Sequence, residues 1–375
     1  MTGRYFQIRS PWTKRYVPAI MTQPASTKGN TRRNRRALAI FGLVLLLIAV
    51  SSGLIACSSK EPARSSTAVN QPSPSASPTQ KPAVPALTID GARAFEHVRK
   101  QVEFGPRPAG SPELAKTRDY IVSELKSYGL NVTVDEWQAQ TPIGPRKMAN
   151  VIADLPGESN DVIILGSHYD TKLIKEFRFV GANDGGSSTG ALLEMARVMA
   201  TSGRKSRFTY RFLFFDGEES FCANWTDCET PEGPDNTYGS RHYVAELKEK
   251  NELQSVRALI LLDMIGYTNL ELGRNEVLST RWLIDAIWDT ASELGHGRYF
   301  IDEIEHCDGD DHVPFLKEGV EAVDLIQLDS YQYWHTAGDT LDKISPQSLK
   351  IVADVVLASL PRIEERLLST SQRAR

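Results

Sequence analysis

The sequence predicts an α/β fold, a three-layer α/β/α sandwich in which helices cover both faces of a central mixed, largely parallel sheet. Two observations carry this expectation. From about residue 86 onward, apolar β-branched runs alternate with segments of helical period, the pattern of strands interleaved with helices. Most of these runs are continuous rather than alternating, as expected of strands covered on both faces. No internal repeat is visible.

Taken in order, the helical periods predict helices over 89–103 and 112–128, followed by strands over 149–155 and 162–167, the latter around Val162-Ile163-Ile164-Leu165. A helix over 190–199 leads to a strand over 208–215, which ends in Phe212-Leu213-Phe214-Phe215. A helix over 240–248 leads to a strand over 258–265 around Ile260-Leu261-Leu262, and a helix over 280–294 precedes a strand over 322–328. The last helix opens at Ser345-Pro346 and runs amphipathically to about residue 368. Serine there is an N-cap, and proline fits the first turn because its missing N–H would have no partner in any case.

With 41% hydrophobic and 24% charged residues, the 375-residue chain reads as one large domain with tails. Residues 1–56 read as an N-terminal extension with an export signal, 57–85 as a tether, and 86–375 as the folded domain. The signal begins with Arg32, Arg33, Arg35 and Arg36, which feed an uncharged run over 37–56. That run is also long enough to span a bilayer, so a simple membrane anchor stays open. Its end, Leu54-Ile55-Ala56-Cys57, resembles the lipobox of bacterial lipoproteins. The resemblance implies cleavage before Cys57, a lipid on its thiol, and an extracytoplasmic protein held at the membrane by acyl chains. The Ser/Pro-rich stretch beyond it has too little apolar surface to offset its ordering entropy. The net charge of -4, with the dense basic cluster confined to the N-terminus, argues against a nucleic-acid partner.

With Cys57 lipidated, Cys222, Cys228 and Cys307 remain. Cys222 and Cys228 bracket a short polar loop and are candidates for a bridge in an oxidising compartment. Three separate thiols are the alternative, because spacing does not reveal geometry.

Candidate functional residues stand where the expected strands end, which is where chemistry gathers in such folds. His168 and Asp170 follow one strand, and Asp184 sits in the glycine-rich turn Gly181-Ala182-Asn183-Asp184-Gly185-Gly186. Asp216-Gly217-Glu218-Glu219 ends another strand, Asp263 follows Ile260-Leu261-Leu262, and His335 follows the last. Each alone reads as a cap, a turn residue or a solvated face. As a set they supply the nitrogen and oxygen donors that zinc accepts. The His168-x-Asp170 spacing puts both side chains on one face of an extended segment, with Asp170 able to orient the imidazole from behind. Of the neighbours Glu218 and Glu219, one can face a metal and the other act as a proton shuttle. His242, His296, His306 and His312 are given surface or packing roles.

At these residues the chain resembles the zinc-dependent exopeptidases of the aminopeptidase M28 type, from about residue 90 to 365, and implies their fold. In the di-zinc peptidases the pattern implies Asp184 bridging two ions, with Glu219 and His335 beside one and His168 and Asp263 beside the other, or exchanged between them. Further stretches resemble the glutaminyl-peptide cyclotransferase branch. Among them are Phe179-Val180-Gly181-Ala182, Tyr238-Gly239-Ser240-Arg241-His242, Asp310-Asp311-His312-Val313-Pro314-Phe315-Leu316 and Trp334-His335-Thr336. That branch implies one zinc per chain, held by Asp184, Glu219 and His335, with Glu218, Asp263 and Asp310 as acid-base and hydrogen-bonding residues. Trp225 and Trp334 would line the pocket for a glutaminyl side chain. Gly309 and Asp324 depart from animal members, which carry a larger polar residue and a histidine there.

The resemblance implies an enzyme that converts the N-terminal glutamine of peptides to pyroglutamate and releases ammonia. The alternative is a di-zinc aminopeptidase holding two ions and hydrolysing N-terminal residues. In both cases the partner is a peptide or protein N-terminus.

Overall fold

The structure is a computed structural model and describes residues 86–307 and 309–373. The export signal, Cys57 and the tether lie outside the described residues. Seven helices are present: α1 (Gly91–Phe104), α2 (Pro112–Ser127), α3 (Gly186–Thr201), α4 (Tyr238–Glu249), α5 (Arg281–Glu293), α6 (Val313–Lys317) and α7 (Pro346–Arg373) among the described residues. The strands are β1 (Asn131–Ala139), β2 (Arg146–Leu155), β3 (Val162–His168), β4 (Thr209–Phe215), β5 (Glu229–Thr230), β6 (Gly233–Pro234), β7 (Val256–Asp263), β8 (Leu272–Arg274), β9 (Phe300–Ile304) and β10 (Glu321–Ile326).

Six strands form the central sheet in the order β1-β2-β4-β3-β7-β10. β4, β3, β7 and β10 pair in parallel, while β2 runs antiparallel to β4 and β1 antiparallel to β2. The sheet is therefore mixed and largely parallel, as expected. The continuous apolar runs have the anticipated cause. Ile163 and Leu165 of β3, Phe212 and Phe214 of β4, and Ile260 and Leu262 of β7 face one core, which α1, α2, α3, α5 and α7 close. Their neighbours Ile164, Leu213, Phe215, Leu259 and Leu261 face a second core with Tyr243 and Leu247 of α4 and Phe315 of α6. Each such side chain, buried completely, contributes on the order of 1.5–3 kcal/mol relative to exposure.

Local signals set several boundaries. Ser345 Oγ accepts the N–H groups of Gln347 (3.1 Å) and Ser348 (3.3 Å), so α7 starts as read. α3 starts at Gly186, earlier than the period suggested, because Gly185 at φ +71° turns the chain into it. β1 was not anticipated. Its sequence, Asn131-Val132-Thr133-Val134-Asp135-Glu136-Trp137-Gln138-Ala139, is exposed along much of its length at the sheet edge, so no apolar run marks it.

Candidate active site

The carboxyl ends of the parallel strands converge on one floor. β3 ends at His168, and Asp170 follows it with both oxygens turned to the loop after β4. Asp170 Oδ1 accepts the N–H of Glu218 at 3.2 Å and Oδ2 that of Glu219 at 3.3 Å. Oδ1 also lies 3.5 Å from His168 Nδ1. Asp170 thus fixes the main chain of the Glu218-Glu219 pair as well as facing the imidazole.

Asp184 is carried by the turn between β3 and α3. A Cβ at Gly185 would stand 2.6 Å from Asp170 O and 2.9 Å from His168 Cε1, so at this φ only glycine lets the turn close against the histidine. Two residues that the sequence did not single out hold the turn. Arg107, fully buried, donates from Nε to Tyr169 O (2.9 Å), from Nη1 to Val180 O (2.6 Å) and from Nη2 to Gly181 O (2.9 Å). Asp339 accepts the N–H groups of Asn183 and Asp184 from the opposite side.

Asp184 turns a different oxygen to each histidine. Oδ2 lies 3.4 Å from His335 Nε2, and Oδ1 lies 3.3 Å from His168 Nε2. His335 Nε2 is 2.9 Å from Glu219 Oε1, and His168 Nε2 is 3.2 Å from Asp263 Oδ1. Donors about 2.0–2.1 Å from a tetrahedral zinc stand about 3.3 Å from one another. In both the Asp184–Glu219–His335 set and the His168–Asp184–Asp263 set the donor atoms all lie within 4.8 Å of one another, and each histidine's contacts of 2.9–3.4 Å are near that spacing. Glu219 Oε2 and Asp184 Oδ2 are buried and accept no hydrogen bond; Lys172 Nζ stands 3.8 Å from the first and His335 Nε2 3.4 Å from the second.

The electrostatics point the same way. Burial alone would depress His335, but the Glu219 and Asp184 carboxylates outweigh it and raise its pKa to about 10. Burial would raise Asp184, but the imidazoles of His168 and His335 facing it outweigh burial and lower it. Glu218 is raised well above the usual carboxylate range by burial and by the Glu219 and Asp310 charges, with His168 opposing. Asp310 is raised by burial and by its neighbours Asp324 and Asp263. Asp324 is itself buried on β10, where Asn275 Nδ2 donates to it at 3.2 Å.

A cavity of about 400 Å³ opens above this floor, lined by Asp184, Glu218, Glu219, Asp263, Asp310 and His335, with Trp225, Trp334, Tyr331 and Leu328 among its walls. His168 does not line it. Trp334 stacks on His335 with ring centroids 4.1 Å apart, and Phe179 meets the same imidazole edge-on at 5.8 Å. His335 adopts φ +51°, a left-handed conformation that a non-glycine residue holds at a cost. Such strain is characteristic of functional positions.

Asp184, Glu218, Glu219, Asp263, Asp310 and His335, with His168 and Asp170 beside them, therefore gather on this floor, with Trp225 and Trp334 at the cavity wall, whereas Asp216 turns away to accept the N–H of Ala149. Cys222 and Cys228 are joined by a disulfide, Cα–Cα 6.2 Å, and Cys307 is a buried free thiol. Of the remaining histidines, His312 is buried with Nε2 2.6 Å from Leu278 O, and His242 stacks on Trp137 at 4.2 Å. His306 pairs with Asp329 at the cavity rim.

The sequence pattern of Peptidase family M28 matches residues 150–360, a span that holds every one of these donors. The chain belongs to peptidase family M28. This M28 chain is 28% identical over 273 residues to the glutaminyl-peptide cyclotransferase of Drosophila melanogaster, covering 66% of this chain and 75% of that protein. Among solved structures it is similar to an Acidobacteriales bacterium glutaminyl cyclase, with 34% identity, a TM-score of 0.69, and coverage of 78% of this chain and 99% of the other. It is also similar to a Zn-dependent exopeptidase from Parabacteroides distasonis, with 27% identity, a TM-score of 0.64, and coverage of 73% and 98%. Both cyclases and peptidases thus use this scaffold.

Proposed function

We propose that the chain is a zinc-dependent glutaminyl-peptide cyclotransferase with one zinc site, formed by Asp184, Glu219 and His335. The observation that carries the single site is the contrast between the two donor sets. All three members of this set line the cavity, whereas His168 of the other set is 1% exposed and does not. The likeness to glutaminyl cyclases, the Acidobacteriales enzyme among them, supports the reaction.

The chemistry supplied by a zinc ion bound there is polarisation of the substrate's γ-carbonyl. The rest falls to the chain's own residues. Glu218, whose carboxyl burial raises well above the usual carboxylate range, takes a proton from the α-ammonium and returns one to the departing amide nitrogen. The α-nitrogen bonds to the γ-carbonyl carbon, the carbon–nitrogen bond of the side-chain amide breaks, and ammonia leaves. Asp263 and Asp310 hold the leaving nitrogen. Trp225 and Trp334 keep the side chain bent toward its own amine and exclude competing water.

The second reading is a di-zinc aminopeptidase with His168 and Asp263 as further ligands, and the spacing of that set favours it. The two are separated by assaying the purified protein with a glutaminyl peptide and a leucyl arylamide and determining its zinc content. About one zinc per chain with activity on the glutaminyl peptide alone supports the cyclase. Two zinc ions with arylamide hydrolysis overturn it.

The same proposal places the domain outside the cytoplasm, tethered through residues 57–85 to a lipid on Cys57. The basic cluster, the apolar run and the Leu54-Ile55-Ala56-Cys57 motif support this. Among the described residues no helix is long and apolar enough to cross a membrane. Cys57→Ser is expected to leave unprocessed precursor, and normal cleavage with lipid labelling of that variant would refute the anchor.

A further inference from the structure

Trp225 is positioned by its main chain rather than by its ring. Its loop is an excursion between β4 and α4, closed by the Cys222–Cys228 bond. The ends of the bridged segment are fastened. Cys222 N–H donates to Asp235 Oδ2 at 2.8 Å, Lys172 Nζ donates to Cys222 O at 3.1 Å, and Asp235 N–H donates to Cys228 O at 3.2 Å. Trp225 O accepts from Asn236 Nδ2 at 3.0 Å. The indole has no such anchor: among the described residues it stacks on no other ring and its N–H donates no hydrogen bond. It lies across Gly309, where a Cβ would stand 3.6 Å from Nε1.

Trp225 lines both the 400 Å³ substrate cavity and a second cavity of about 470 Å³ bounded by Arg241, Val244 and Lys317. With no hydrogen bond or ring stack of its own, the indole takes its position from the main chain that carries it, and a loop that had to order it when substrate binds would do so at a free-energy cost. The main chain of Glu218 and Glu219 has a separate anchor outside the bridged segment, the Asp170 carboxylate.

We propose that the Cys222–Cys228 disulfide is a positioning element for substrate binding that acts through Trp225, holding the indole as a ready-made wall of the glutaminyl pocket. The inference rests on the cyclase reading of that pocket. It predicts a split between the kinetic constants, because the wall is pre-ordered while the reacting groups are untouched. Replacing both cysteines by serine raises KM for a glutaminyl peptide by up to about tenfold, since ordering one large side chain costs about 0.5–1.5 kcal/mol. kcat and zinc content change little.

The test is a cycle of four zinc-loaded full-length proteins: unmodified, Cys222→Ser/Cys228→Ser, Trp225→Ala, and all three changes combined. If the bridge acts through the indole, removing it from the Trp225→Ala protein has no further effect on KM. An unchanged KM in the bridge variant, or an equal rise with and without the tryptophan, overturns the proposal. Should the serine variant fold poorly, phosphine reduction of the unmodified enzyme gives the same comparison: a KM rise reversed by reoxidation supports the proposal, and no rise refutes it. Failure of the unmodified enzyme to form pyroglutamate would instead sink the underlying functional reading, and it is visible before any variant is compared.

Discussion

Asp339 holds Asp184 by its main chain: Oδ2 accepts the N–H of Asp184 at 3.1 Å, while Oδ1 accepts that of Asn183 at 2.8 Å and the Tyr331 hydroxyl at 2.7 Å. The carboxylate of Asp184 is left free to face both histidines. Groups that orient a ligand in this way typically set metal affinity by ten- to hundredfold. Asp339→Ala is therefore expected to weaken zinc binding by about that factor while the fold persists, as read by competition with a chelator. Unchanged affinity would mean that the turn holds itself.

Arg107 does the complementary task from the carbonyl side, with its guanidinium buried among main-chain oxygens. Each buried acceptor left without a donor costs about 1–3 kcal/mol. Arg107→Met should lower thermal stability severely, and Arg107→Lys should recover only part of the loss because an ammonium cannot span the same fork. Thermal unfolding of the two variants checks this, and equal stability of both with the unmodified protein contradicts it.

Glu218→Gln tests the proton shuttle. Zinc and fold should be retained because Glu218 is not among the three proposed ligands, while kcat falls on the order of a hundred- to ten-thousand-fold. Loss of zinc from this variant would place Glu218 among the ligands instead.

His312 gives a pH prediction. Burial pushes it down to about 4, against the raising influence of the Leu278 carbonyl. Above the unfolded value of about 6.5 both states are neutral and nothing is lost. As pH falls from about 6.5 to 4 the unfolded chain takes up a proton that the folded chain refuses, so stability falls by about 3 kcal/mol at most. Urea unfolding of His312→Gln should therefore show a shallower loss than the unmodified protein across that window. Parallel curves would show that His312 does not carry the effect.

The sequence reveals what is local or periodic. Strands β3, β4 and β7 are legible because two-sided burial leaves uninterrupted apolar runs, and the ligands are legible because each follows such a run. β1 escapes because its outer residues face solvent and its pairing with β2 is tertiary. Arg107 and Asp339 escape for a different reason. They act on main-chain groups of a turn 73 and 155 residues away, and no side-chain pattern records such a partner. Trp225 is legible as a pocket residue only through family likeness, and the bridge around it only as one of two pairing alternatives.

The central claim is the reaction itself, and the mass of the product tests it most directly. Zinc-loaded enzyme incubated with a peptide beginning in glutamine should yield one product, lighter than the substrate by one ammonia, intact in its remaining sequence and blocked at its N-terminus. Free glutamine together with a peptide shortened by one residue, and no pyroglutamyl product, would contradict the account and establish the aminopeptidase in its place.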